Sequence, residues 1–89
     1  MSTAAQPSSG DPRVRTVEVT DALITAHLVD GRTISVPLAW SWRLARATPE
    51  ERARYEIIGE GTGIHWPALD EDLSVRGMLE GHPAHPPSA

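Results

Sequence analysis

Eighty-nine residues carrying a formal net charge of −4 are enough for one small domain, and the absence of cysteine removes disulfides and thiolate metal ligands. All eight basic residues are arginine, spread without a run, which argues against general binding to a phosphate backbone, because that needs a positive stripe to displace counterions. No charged segment leads into an apolar core at the start, and no apolar run nears the roughly 18 residues that span a bilayer, so a cytoplasmic protein without a membrane partner is expected.

In chain order, residues 1–12 (MSTAAQPSSGDP) lack any apolar period and are expected to form a disordered tail. Residues 13–80 then form a single α+β domain. Its first strand is RVRTVEVT, where Val17 and Val19 alternate with polar residues. Ile24, Ala26 and Leu28 are the apolar half of a second strand, and Ile34, Val36 and Leu38 that of a third. Between them Asp30-Gly31 signals a hairpin. A two-residue loop would throw the two apolar rows onto opposite faces. A three-residue loop, Val29 to Gly31 with Gly31 left-handed, instead pairs Ala26 with Ile34 and Ile24 with Val36.

Pro37 ends the ladder, and a helical region runs from Ala39 to about Tyr55. Thr48-Pro49-Glu50-Glu51 divides it into two short helices: Pro49 suits a first helical position, and Thr48 with Glu51 makes a capping box. After the glycine-rich stretch, Ile64 and Trp66 alternate around His65 in a short strand stopped by Pro67. Ser74 caps a last helix, Val75 to Glu80, before Gly81. Residues 81–89 (GHPAHPPSA) are Pro-rich and are expected to be a second disordered tail. The architecture predicted is a small antiparallel sheet of three to four strands, with two short helices on one face and a short C-terminal helix. A domain this short buries only about 60% of its unfolded surface, which gives weight to a stabilising partner, either another protein or a second copy of the chain.

GEGTG at residues 59–63 invites comparison with a phosphate loop. Dinucleotide sites need G-x-G-x-x-G leading into a helix, and the P-loop needs a lysine that this chain lacks. Gly59, Gly61 and Gly63 are therefore assigned to a tight connection. His65 with Asp70, Glu71 and Asp72 offers an imidazole and three carboxylates. Along an extended chain only Asp70 and Asp72 share a side, so His65, Trp66, Pro67, Asp72 and Ser74 are given structural roles, while Asp70 and Glu71 are candidates for an acidic contact with a basic partner. Ser35 and Ser41 have no predictable His and Asp partners for a hydrolytic triad. No catalytic residue, metal site or cofactor is assigned.

Three of the four aromatic residues are tryptophan. Trp40 and Trp66 suit the core, provided each indole N–H finds an acceptor. Trp42 cannot share a helical face with Trp40. Beside Arg43 and Arg46, it has the composition of an interface hot spot. Arg43, Arg46, Arg52 and Arg54 together would be the basis of the alternative, a nucleic-acid-associated regulator.

The segments DGRTISVPL (30–38), W-x-W-R-L (40–44), ATPEER (47–52), I-I-G-E-G-x-G-I-H-W-P (57–67) and L-D-E-D-L-S-V-x-G-M-L (69–79), in that order, resemble the bacterial domain of unknown function 2442 family. The resemblance implies a compact α+β domain without an established enzymatic activity. Some relatives stand beside another small family, domain of unknown function 4160, in arrangements that look like toxin–antitoxin pairs. It thus implies a non-enzymatic interaction module, an antitoxin-like component that binds a protein encoded by an adjacent gene.

Overall fold

The computed structural model describes residues 12–81. Apart from Pro12 and Gly81, the two expected tails lie outside the described residues. Strands β1 (Val14–Val19), β2 (Leu23–Leu28) and β3 (Thr33–Pro37) form an antiparallel meander. Ala26 faces Ile34 and Ile24 faces Val36, the register that the three-residue loop dictates. Gly31 supplies the left-handed residue at φ 97°, where a side chain would be strained. Val14, Val17, Ile24, Ala26, Leu28 and Val36 of this sheet are all buried.

A 3₁₀ turn, Leu38–Trp40, leads into helix α1 (Trp42–Ala45), and helix α2 (Pro49–Ala53) follows. Both are shorter than the sequence pattern implies. The capping box forms: Thr48 Oγ1 accepts from Glu51 N, and the Glu51 carboxylate accepts from Thr48 N. Arg54 leaves helical torsions at φ −99°, ψ 77°. The chain after α2 is not helical: Tyr55 lies outside the helix, and Ile58 is extended at φ −121°, ψ 170°, in keeping with the β preference of branched residues.

Strand β4 (Glu56–Ile58) pairs with β5 (Gly63–Trp66), which pairs with β6 (Glu71–Ser74). The fold is α+β: the described residues form three short α-helices, and their six strands divide between two three-stranded antiparallel sheets. Helix α3 (Val75–Glu80) closes the described chain, with Ser74 Oγ accepting from Gly77 N and Gly81 left-handed at φ 85°.

The glycine-rich stretch is the β4–β5 hairpin. Gly59, Glu60 and Gly61 have φ of 59°, 57° and 100°. A β-carbon on Gly61 would sit 2.9 Å from Arg13 Cβ, and one on Gly63 would crowd the Ile58 side chain at 3.1 Å. These glycines are explained by backbone conformation and close approach.

Both sheets bury their inner faces in one core. Ile64 and Trp66 of β5 join Leu44, Val75 and Met78 against the buried row of the first sheet. The Trp66 indole N–H reaches the Arg52 carbonyl at 3.0 Å. Tyr55 tilts against Trp66 with ring centroids 6.4 Å apart, and its hydroxyl accepts from Val17 N at 3.1 Å. That bond ties the outer edge of β1 to the entry of β4.

Candidate protein-contact surface

Ser41 sets the start of α1. Its Oγ accepts from Leu44 N at 3.2 Å, the usual N-cap bond, and donates to Glu71 Oε2 at 2.5 Å. Glu71 Oε1 accepts from Asp72 N. Both side chains are inside, Ser41 fully and Glu71 at 7% exposure. A buried carboxylate is tolerated only when its oxygens are bonded, and this one joins the N-terminus of α1 to the start of β6. Glu71 is therefore removed from the contact surface expected of it. Glu71 and Asp72 do alternate along β6, which turns Glu71 to the core face with Trp66, its cross-strand partner, whereas Asp70 precedes the strand in left-handed backbone.

Above that buried pair, Trp42 is half-buried on the first turn of α1. The Arg43 guanidinium carbon lies 5.3 Å from the Trp42 ring centroid and that of Arg46 lies 5.7 Å away, both within cation–π range. Arg46 is one turn after Trp42, which accounts for its approach. Arg43 also donates through Nη1 to the carbonyl of Asp70. Asp70 is exposed and left-handed at φ 52°. Four of the five proposed contact residues, Trp42, Arg43, Arg46 and Asp70, thus meet at one surface, with Glu71 beneath it. The arrangement offers an aromatic face with two fixed cations.

Arg52 does not join them. It is 8% exposed, and donates from Nε to the Leu44 carbonyl at 2.9 Å, from Nη2 to the Ala45 carbonyl at 3.2 Å and from Nη1 to Asp21 at 2.8 Å. It caps the C-terminus of α1, sharing the Leu44 carbonyl with Ala47 N at 3.2 Å and satisfying the Ala45 carbonyl. The four-arginine set loses its most central member. No local feature distinguishes Arg52 from Arg54, so this role was not legible in the sequence.

His65 and Asp72 face each other across β5 and β6, with Nδ1 2.6 Å from Oδ1. Both lie on the outer face of the second sheet, with Glu56 next in the row. Among the described residues no three His, Asp or Glu side chains are grouped as metal ligands. Also among them, no helix is long and apolar enough to cross a membrane.

A small α+β domain with two three-stranded sheets and a tryptophan–arginine surface is what fold and site define. The chain belongs to the family described as protein of unknown function (DUF2442), whose model matches residues 14–84. It is similar to a protein of unknown function from Rhodospirillum rubrum, known from a crystal structure, at 29% identity and a TM-score of 0.73, over 85% of this chain and 94% of that one. An uncharacterized protein from Chromobacterium violaceum, solved by NMR, is similar at 28% identity and a TM-score of 0.70, over 82% of this chain and 69% of that one. No curated protein matches the chain.

Proposed function

We propose that the protein is a small non-enzymatic interaction module of the cytoplasm, an antitoxin-like component that binds a protein encoded by an adjacent gene. The observation that carries this reading is the Trp42 ring held against Arg43 and Arg46 at the surface. Tryptophan and arginine are the residues most enriched where interfaces concentrate their binding energy, and a ring and cations fixed before binding lose less entropy on association. The family resemblance supplies the two-gene setting. With Glu71 buried, the acidic run 70–72 is not a continuous contact strip, and the charge at the surface is that of Arg43 and Arg46 beside Asp70.

The test is capture of partners by the tagged full chain from its native host at moderate salt, with bound material identified by mass spectrometry. One stoichiometric protein encoded next door is the expected result. Recovery of the bait alone would contradict the reading. The nucleic-acid alternative would rest on Arg43, Arg46 and Arg54, and predicts binding to mixed DNA or RNA that weakens steeply with salt; absence of such binding at low salt would dispose of it.

A further inference from the structure

The charges around Trp42 define the chemistry that this surface would take from a partner. All eight arginines lie among the described residues. Arg13, Arg32, Arg52 and Arg76 each pair with a carboxylate of this chain. Among the described residues Arg15, Arg43, Arg46 and Arg54 have no such partner, and two of these, Arg43 and Arg46, converge on one ring. Arg43 gives an N–H to a neutral acceptor, the Asp70 carbonyl, and the Asp70 side chain makes no ion pair with it. The Arg46 guanidinium makes no hydrogen bond or ion pair among the described residues and rests on the ring. Two like charges gathered at one place repel each other. Of the acidic run 70–72 only Asp70 is left at this surface, since Glu71 bonds to Ser41 in the core and Asp72 faces His65 on the outer side of the second sheet. An anion supplied from outside would bridge the two guanidinium groups, whose planar forks match a carboxylate.

Resting on the interaction reading, we infer that the partner presents a short acidic segment to this surface, with a carboxylate seated between Arg43 and Arg46 and an apolar side chain beside the half-buried indole of Trp42. Net charge decides between an acidic protein and a nucleic acid. The chain carries −4, so a long anion such as a phosphate backbone is repelled beyond the two guanidinium groups, which form no stripe along it. A short acidic element keeps its charge within the contact. The sign is opposite to the basic partner expected from residues 70–72, because a basic segment at this place would meet two cations and one carboxylate. The bond from Arg43 to the Asp70 carbonyl holds one of those cations in position before any partner arrives.

NMR titration of the full chain tests the inference, read at the indole N–H of Trp42 and the Nε–H of Arg43 and Arg46, at about 0.15 M salt, where distant charges are screened. The probes are a blocked hexapeptide of four glutamates and two leucines, the same peptide with glutamine or lysine in place of glutamate, and a thymidine hexanucleotide. The glutamate peptide is expected to move all three signals and to bind roughly tenfold more tightly than the glutamine peptide, as two exposed charge pairs allow. Arg46→Glu should remove that advantage, and Arg15→Glu, an equal change of charge on β1, should leave the affinity within twofold; both positions are exposed, so neither change enters the core. Equal binding of the glutamine peptide, binding of the lysine peptide, tighter binding of the hexanucleotide at the same signals, or equal weakening by the two variants would overturn the inference. A partner captured from the host, with no binding of the glutamate peptide, overturns this inference and leaves the interaction reading; a bound peptide with the bait alone in the capture contradicts that reading and leaves the anion site.

Discussion

Arg52 shows how one side chain can be assigned by weighing its contacts. Its ion-pair partner Asp21 is 98% exposed, and such a pair is worth at most about 1 kcal/mol. Its bonds to the Leu44 and Ala45 carbonyls are on the sheltered side; the Leu44 carbonyl also accepts from Ala47 N at 3.2 Å, so it is the Ala45 carbonyl that loss of Arg52 would orphan, at about 1–3 kcal/mol. Urea unfolding should therefore show Arg52→Met destabilised by about 1–3 kcal/mol, with Asp21→Ala changed by less than about 1 kcal/mol. Equal losses would mean that the ion pair, not the carbonyl cap, is the main role. Ser41 and Glu71 make a similar contrast with Asp70. Reversal to lysine at Glu71 should unfold the domain, since it puts an unmatched charge beside Ser41 in the core, whereas the same change at the exposed Asp70 should cost only about 1 kcal/mol, for a left-handed torsion that aspartate tolerates better than lysine. Asp30 is exposed, yet the Arg32 backbone N–H holds its carboxyl below the ordinary value of 3.8, with the Arg32 side chain assisting. A lowered folded pKa stabilises above the unfolded value, and that contribution is lost as pH falls through the folded pKa. An NMR titration should find Asp30 below 3.8, and still depressed in Arg32→Ala, which keeps the backbone donor. A return to the ordinary value in that variant would assign the shift to the guanidinium instead.

At the scale of elements, local chemistry was the legible part. The parity of two apolar rows sets the β2–β3 register, Thr48-Pro49-x-Glu51 starts α2, and Ser74 starts α3; each is decided by residues within a few positions of one another. What was hidden depends on distance along the chain. Glu56–Ile58 becomes a strand only because β5 returns beside it, and the bond from Ser41 to Glu71 spans 30 residues. Propensity in a three-residue segment is too weak to announce such pairing. The glycines can be ranked by the same physics. Gly31 and Gly61 both have positive φ, but a β-carbon meets nothing within 4 Å at Gly31 and lies 2.9 Å from Arg13 Cβ at Gly61. Gly31→Ala should cost about 1 kcal/mol for its torsion alone and Gly61→Ala about 2–3 kcal/mol, a gap measurable by thermal or urea unfolding. Equal costs would show that Arg13 yields freely.

Across the whole molecule, two small sheets share one core, with Trp66 at its centre and Tyr55 and Arg52 tying the second sheet to the first sheet and the helices. The candidate site follows from that frame: the bond between Ser41 and Glu71 fixes α1 on β6, and α1 in turn sets Trp42, Arg43 and Arg46 beside Asp70. The composition of this surface was legible in the sequence, since three of its members are consecutive or one turn apart. The burial of Glu71 and Arg52 was not, because it depends on which face each element turns to the core. The proposed contact is tested most directly by the affinity of the partner captured from the host for the wild-type chain and for Trp42→Ala. The residue is half-buried and surface-facing, so the variant should keep the wild-type fold by NMR. Loss of an interface anchor of this kind should weaken binding by about 2 kcal/mol, roughly thirtyfold in Kd. An affinity within twofold of wild type, in a folded variant, would place the contact elsewhere and contradict the account.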